Sequence, residues 1–212
     1  MKYQLIKPDY IDIKHPKSGR IHRLYRIIAL KTFGDDSNPV TEQEIGGYIQ
    51  SEKNLSHEGS CWVANTAKVF GDAVVSDDAR IIDDGAVYDN AKVSGNSVIS
   101  HYARIFERAT VIDSFIGDTA DVHGDSVVTR CDMNNSSKVY QQSTATDTVF
   151  SDGSMLHGKA VVTNCKLSDV SEVRGDANLI NCVLSVRDIV ENGEHINETL
   201  TADVELNITI GK

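Results

Sequence analysis

One short pattern of small and apolar residues repeats through more than half of the sequence, and its spacing restricts the fold more than any other feature. From Cys61 to Leu184 each small residue is followed two positions later by an apolar one, first in Cys61-Trp62-Val63. The apolar position recurs every six residues up to Val111, and afterwards every third step is shortened to five. A period of six fits neither an amphipathic helix nor an alternating strand. Repeats of one short strand and one corner are typical of parallel β-helices.

The shortened steps indicate how many sides the coil has. They recur every 17 residues, always after two steps of six, so three repeats complete one turn. The sequence therefore predicts an all-β protein built around a parallel β-helix, a three-sided solenoid of about seven coils with 17–18 residues each. The predicted inward columns are Val63, Ile81, Ile99, Ile116, Met133, Phe150, Leu167 and Leu184 on face one; Val69, Val87, Ile105, Val122, Val139, Leu156 and Val173 on face two; and Val75, Val93, Val111, Val128, Ala145, Val162 and Leu179 on face three.

The repeats divide the chain into three parts. We expect residues 1–59 to form an N-terminal β-hairpin and capping segment, residues 60–196 the β-helix, and residues 197–212 a C-terminal strand. In the first part, His15-Pro16-Lys17-Ser18-Gly19 is a turn sequence, and Gly46-Gly47 favours a second turn. The step of six can be continued to Val190 and Ile196. Polar residues then alternate with Val204, Leu206, Ile208 and Ile210, as in a half-buried strand.

Charge and hydropathy argue against several classes of protein. The 212-residue chain has no apolar run of the roughly 18 residues that a membrane span needs and no N-terminal secretory segment, so we expect a cytoplasmic protein. Its formal net charge of −10 disfavours nucleic acid as a partner. Residues 1–33 are nevertheless basic, with eight Lys or Arg and two Asp. They are interpreted either as a basic cap on an acidic solenoid or as a basic patch for an anionic ligand.

The four cysteines occupy equivalent positions in the repeat. Cys61, Cys131, Cys165 and Cys182 are each the small residue that precedes face one, so they are interpreted as small core residues. Cys165 and Cys182 fall in neighbouring coils, close enough for a disulfide, but a reducing compartment disfavours that bond. No Cys-x-x-Cys motif is present, and no metal site is predicted.

Residues on either side of each inward position point away from the core. On face three these residues are mostly Thr, Val, Ile and Ser, and Lys92 is the one charged residue among them. An uncharged wall on an acidic protein favours contact with a partner, whereas the alternative is a threonine-rich face exposed to solvent. We expect a homotrimer interface on this face, through Val74, Ile112, Val127, Thr129, Val161 and Ile180.

Face two carries a different outward column. Aromatic and basic residues follow its inward positions in successive coils: Phe70, Tyr88, Phe106, His123, Tyr140, His157 and Arg174. Such a column either stabilises the β-helix as a stacked ladder or forms a wall that binds a ligand. For the second interpretation, the candidate ligand-binding residues are Tyr88, Arg104, Phe106, His123, Lys138, Tyr140, His157 and Arg174. His123 and His157 lie two coils apart, about 9.6 Å on the strand spacing, which is too far to share a metal ion.

The chain also resembles a known family. Its hexapeptide repeats resemble those of the left-handed β-helix proteins in the hexapeptide-transferase superfamily. The sequences Gly46-Gly47-Tyr48-Ile49 and Asn54-Leu55-Ser56, with Gly59 and Trp62-Val63, look like those of a subset in bacteria and phages that is often labelled as acyltransferases. The resemblance covers residues 40–184. Members commonly have Trp where this chain has Tyr48 and Glu where it has Gln50.

The resemblance implies a left-handed coil, a threefold oligomer and a specific chemistry. Family enzymes place coenzyme A in the groove between subunits and use a His as general base for the acceptor. His123 and His157 are the catalytic candidates on that basis. No insertion interrupts the coils between 63 and 184, so the loop that usually presents the catalytic His and the acceptor pocket is missing.

Three functions are therefore expected, in this order. The first is a non-catalytic homotrimer, of phage or prophage type, that binds a small anionic ligand or a protein partner such as a host protein, with no cofactor. The alternative is a coenzyme A-dependent acyltransferase that uses acetyl-coenzyme A and a His general base. The third is a structural scaffold.

Overall fold

The computed structural model describes residues 1–36 and 38–201. These residues form short strands with one 3-10 turn, Glu52–Asn54. In chain order the strands are β1 (Tyr3–Lys14), β2 (Ile21–Ala29), β3 (Ile45–Ile49), β4 (Trp62–Val63), β5 (Lys68–Val69), β6 (Val74–Val75), β7 (Arg80–Ile81), β8 (Ala86–Val87), β9 (Lys92–Ser94), β10 (Val98–Ile99), β11 (Arg104–Ile105), β12 (Thr110–Ile112), β13 (Phe115–Ile116), β14 (Asp121–Val122), β15 (Val127–Thr129), β16 (Asp132–Met133), β17 (Lys138–Val139), β18 (Thr144–Thr146), β19 (Val149–Phe150), β20 (Met155–Leu156), β21 (Val161–Thr163), β22 (Lys166–Leu167), β23 (Glu172–Val173), β24 (Asn178–Ile180), β25 (Val183–Ser185), β26 (Ile189–Val190), β27 (Glu194–Ile196) and β28 (Thr199–Thr201).

The strands stack into three parallel sheets, one for each predicted face. From β4 onward each strand pairs with the strand three places later, so successive coils lie directly above one another. On face one, for example, Ile99 of β10 lies opposite Ile81 of β7 and Ile116 of β13. The described residues therefore form a three-sided parallel β-helix, and the predicted fold class is confirmed.

The predicted inward columns form the core. Val122, Val139 and Leu156 belong to one sheet, lie in register, and are fully buried. The same holds for the larger side chains of Met133 and Phe150 on face one. Burying a side chain of this size contributes about 1.5–3 kcal/mol. Because each coil contacts only its neighbours, these contributions add along the stack.

The corners between strands explain part of the acidic composition. Many corner residues adopt a left-handed backbone conformation, which Asp and Asn tolerate better than most residues. Several corner carboxylates also accept a backbone N–H from the next coil, as Asp77 Oδ2 does from Gly95 at 3.0 Å and Asp118 Oδ2 from Asn135 at 3.0 Å. These acidic side chains satisfy backbone donors and so help hold one coil to the next.

The N-terminal hairpin is confirmed, and it lengthens the sheet of face two. β1 and β2 pair antiparallel, β2 pairs antiparallel with β3, and β3 pairs parallel with β5. Parallel pairing with the solenoid therefore includes Tyr48 and Ile49 of the N-terminal segment. The turn expected at Gly46-Gly47 is wrong, because both glycines lie in β3. A Cβ on Gly46 would stand 2.6 Å from Trp62, so glycine is needed there for close packing.

The solenoid continues past Leu184 through β26, β27 and β28. The inward position expected at Ile196 is wrong: His195 lies opposite Leu179, and Ile196 is 48% exposed. The corner before β27 is one residue shorter than the step of six assumes. The alternating residues Val204, Leu206, Ile208 and Ile210 lie outside the described residues. All four cysteines are buried free thiols, and no described helix is long and apolar enough to cross a membrane.

We predict that the stability of the solenoid depends on the inward column and not on its neighbours in sequence. Phe150→Ala should lower the free energy of unfolding by about 3–5 kcal/mol, since it leaves a cavity in the core. Val149→Ala, at an adjacent position that is 41% exposed, should change it by no more than about 0.5 kcal/mol. Urea denaturation monitored by circular dichroism measures both. Equal losses in the two variants would contradict the assigned column.

Candidate functional site

The outward column of face two is a continuous ladder of stacked rings. Neighbouring ring centroids are 4.6–5.1 Å apart and the planes deviate by only 3–13°. The ladder consists of Phe70, Tyr88, Phe106, His123, Tyr140 and His157. The spacing follows from the separation of adjacent strands. Because each ring covers the face of the next, the ladder presents ring edges, and few ring faces, to a ligand.

The hairpin covers the first half of the ladder. Leu24 of β2 packs with Phe70, Tyr88 and Phe106 in a small apolar cluster outside the main core. Tyr88 is only 3% exposed and Phe106 7%. Of the predicted ligand-binding rings, these two therefore lie beneath the hairpin. His123, Tyr140 and His157 form the accessible half of the ladder.

His15 anchors the tip of the hairpin. Its Nδ1 accepts the backbone N–H groups of Lys17 and Ser18, at 3.2 and 3.0 Å. The hydrogen of the neutral ring is therefore assigned to Nε2, which donates to Asp89 Oδ1 at 2.7 Å. The ring also meets Tyr88 edge-on, with centroids 5.6 Å apart. One buried imidazole thus shapes the turn and fixes it to the solenoid.

Lys17 makes the second attachment, to Glu107. Its ammonium binds the Glu107 carboxylate and lies 5.2 Å from the centroid of Phe106. Glu107 Oε2 also lies 3.4 Å from His123 Nδ1, and the Gly124 backbone lies close to the same carboxylate. The Lys17 hydrogen bond, more than any other contact, lowers the pKa of Glu107 below its usual value. Glu107 therefore lies where the hairpin meets the accessible half of the ladder.

The predicted arginines are both paired with carboxylates. Arg104 binds Asp121 through two nitrogens, at 2.8 and 2.6 Å. Arg174 contacts Glu172 at 3.1 Å and Glu191 at 3.2 Å. Pairing compensates their charge and leaves less of it for an anionic ligand.

Two lysines near the ladder differ from these arginines. Lys138 and Lys159 are exposed, and neither takes part in an ion pair within the described residues. Lys138 was predicted from the sequence, whereas Lys159 was missed. Lys159 lies two residues after the ladder residue His157, a corner position that the search for stacked columns did not include.

The two candidate histidines have different surroundings. Burial lowers the pKa of His123, so this ring is neutral near pH 7. His157 Nε2 lies 2.8 Å from Glu172 Oε1, and this contact is the main reason that the pKa of Glu172 is lowered. Between them, burial raises the pKa of Tyr140, and the nearby Glu172 carboxylate raises it further. Tyr140 therefore keeps its hydroxyl proton at neutral pH.

A depression of about 610 Å³ lies beside the accessible half of the ladder. Its wall combines ring edges, corner backbone and charged groups, and includes Glu107, His123, Tyr140, Gln142, Gly158 and Lys159. Within residues 1–36 and 38–201 no cluster of three or more His, Cys, Asp or Glu could hold a metal ion. A search against protein-family models and curated proteins finds no match to this sequence.

Face three has the uncharged character expected from the sequence. Val74 and Val161 are each 37% exposed, and Ile112, Val127, Thr129 and Ile180 are half-buried. Sequence reasoning missed three exposed apolar residues on face one, Phe115, Val149 and Val183, which are 38–41% exposed. In their column they alternate with the charged residues Asp132 and Lys166. The three apolar residues directly precede the inward positions of face one, and the charged residues between them hide the pattern in the sequence.

We predict that acid weakens the attachment at Glu107. The folded-state pKa of Glu107 lies below its ordinary value of 4.5. Its contribution to stability is therefore present above about pH 4.5 and is lost as the pH falls through the lowered value. Glu107→Gln should lower the free energy of unfolding at pH 7, and the difference from the wild type should shrink toward pH 3. The difference should be small, because the Glu107 side chain is 35% exposed and solvent screens the pair.

Chemical denaturation at several pH values measures this difference. Glu194→Gln is a suitable control, since Glu194 is exposed and lies outside every ion pair of the described chain. A Glu107→Gln difference that stays constant from pH 7 to pH 3 would rule out the proposed linkage.

Proposed function

We propose that this protein is a non-catalytic binding protein for a small anionic ligand, which it holds against the accessible half of the ladder. The observation that carries the proposal is the depression beside His123 and Tyr140, with Lys159 in its wall and Lys138 on the adjoining strand. Both lysines lack a carboxylate partner within the described residues, so their charge is available to a ligand.

The stacking of the rings favours a particular mode of recognition. The edge of an aromatic ring carries partial positive charge, whereas its face carries partial negative charge. Exposed edges together with two ammonium groups and the Tyr140 hydroxyl suit the oxygen atoms of a carboxylate or phosphate. A ligand that inserted a planar group between two neighbouring rings of the ladder would have to break their existing stacking contact.

A second candidate is the coenzyme A-dependent acyltransferase that the family resemblance implies. The observation in its favour is the contact of His157 with Glu172, because a carboxylate orients an imidazole as a general base. Lys138 and Lys159 would then hold the phosphates, and His157 would take a proton from the acceptor. Coenzyme A, when bound, would supply the acyl thioester. The uninterrupted coils, which provide no acceptor loop, favour the binding protein over the enzyme.

Acetyl-coenzyme A tests both candidates, because it combines phosphates, a planar base and a thioester. Calorimetry should show saturable binding that weakens at least about tenfold in the Lys138→Met/Lys159→Met double variant. Lys166→Met, an exposed lysine on face one, should bind as the wild type does. If neither acetyl-coenzyme A nor adenosine triphosphate binds saturably, the small-ligand proposal is overturned. The remaining possibility is then a protein partner, for example a bacterial protein bound by a phage protein.

Release of free thiol in the presence of amine or hydroxyl acceptors distinguishes the enzyme. The binding protein predicts no turnover, and binding that survives His157→Gln. Turnover that disappears in His157→Gln while binding persists would establish the acyltransferase instead.

We further propose that the protein acts as a cytoplasmic homotrimer with a left-handed coil, assembled through face three. The exposed Val74 and Val161 support this interface, as does the scarcity of charge around them. Val161→Glu should shift the mass in solution from trimer to monomer, whereas Val149→Glu on face one should leave the trimer intact. Light scattering coupled to size exclusion measures both variants. A wild type that is monomeric at all concentrations would contradict the proposed trimer, and an extended polymer would favour the scaffold function.

A further inference from the structure

An ammonium, an imidazole and a backbone amide from separate parts of the chain surround the Glu107 side chain. The Lys17 ammonium reaches it from the hairpin turn. The His123 ring approaches with Nδ1 at 3.4 Å from Oε2, and the Gly124 backbone lies close enough to help lower the pKa of this carboxyl. An ammonium, an imidazole and a backbone amide are donors that proteins commonly use to bind a free carboxylate or phosphate.

The corner itself does not require a side chain at position 107. Glu107 has φ of +60°, in the left-handed region. Equivalent corners in the same column are occupied by Gly71, Gly124 and Gly158, with φ of +69°, +80° and +76°. Asp89 and Gln141 occupy the corners between them, and their side chains accept a backbone N–H from the next coil. A residue with a Cβ is less stable than glycine in that conformation. The contacts of the carboxylate, and not the backbone, therefore account for a glutamate at this corner.

The Glu107 carboxylate can also be reached from outside. Its side chain is 35% exposed and that of Lys17 58%. Glu107 lines the same depression as His123 and Tyr140. An anionic group of a ligand in that depression would compete directly with Glu107 for the same donors.

We infer that Glu107 occupies an anion subsite, and that a carboxylate or phosphate group of the ligand displaces it and binds Lys17, His123 and the Gly124 amide. This inference deepens the proposed function and rests on the depression being the ligand site. Lys17 exchanges one anion for another, so it stays paired throughout. The hairpin tip remains attached through His15 and Asp89, which the exchange does not involve.

Glu107→Gly is the informative variant, because it removes the carboxylate and installs the residue found at the next corner of the column, Gly124. The probes are acetate, which reproduces the lost carboxylate, and inorganic phosphate. Titration of each into ¹⁵N-labelled protein, followed at the Gly124 backbone amide, should give a saturable shift in Glu107→Gly. The affinity should exceed that of the wild type by at least about tenfold, since the internal competitor is gone.

Two further variants separate the subsite from other effects. Lys17→Met in the Glu107→Gly background should abolish the saturable shift, whereas Lys14→Met, an exposed lysine of the same hairpin, should not. Glu107→Gln, which keeps a hydrogen-bond acceptor in place without the charge, should bind the probes more weakly than Glu107→Gly.

The inference is overturned if Glu107→Gly shows no saturable shift with either anion, which would make Glu107 a simple attachment point for the hairpin. It is also overturned if the shift persists without Lys17. Failure here is distinct from failure of the proposed function, which is tested through Lys138, Lys159 and acetyl-coenzyme A in the wild type.

Discussion

Parallel hydrogen bonding between successive coils, in strict register, is the constraint on which the rest of this structure depends. Each coil places like positions directly above one another, so Val122 lies between Ile105 and Val139 in the core. The same register stacks rings outside face two and brings corner carboxylates to backbone N–H groups of the next coil. Neither arrangement would form if the register of one strand shifted by one residue, because inward and outward side chains would exchange places. The core, the ladder and the corner contacts are therefore three results of one repeat.

Much of this arrangement could be predicted from the sequence because it is local and periodic. Once the inward residues are identified, each residue of a coil is expected to lie next to the residue 17 or 18 positions later in the chain. The same spacing accounts for the pairing of Arg104 with Asp121. The hairpin contacts could not be predicted in this way. Residues 1–44 lie outside the repeat, so no period relates Lys17 to Glu107 or His15 to Asp89. The sequence therefore could not show which rings of the ladder the hairpin covers and which it leaves accessible.

The ladder itself changes what the candidate site can do. As a sequence pattern, six rings in a column suggest planar surfaces for a planar ligand. In the structure those surfaces face one another, and the hairpin covers the first three rings. The accessible half of the ladder exposes ring edges, with Lys138 and Lys159 nearby. Lys159 was not part of the column pattern in the sequence. The structure thus favours recognition of charge and hydrogen-bond acceptors over recognition of flat shape.

The attachment of the hairpin has a consequence for how the chain reaches its native state. Contacts within the solenoid join residues in adjacent coils, so the coils can form one after another by closing short loops. His15 and Asp89 are 74 residues apart in the chain, and Lys17 and Glu107 are 90 apart. The hairpin tip has nothing to bind until the coils that carry those acids exist. Docking of the hairpin tip should therefore be a late event in folding. It can occur only after the coils that contain Asp89 and Glu107 have formed.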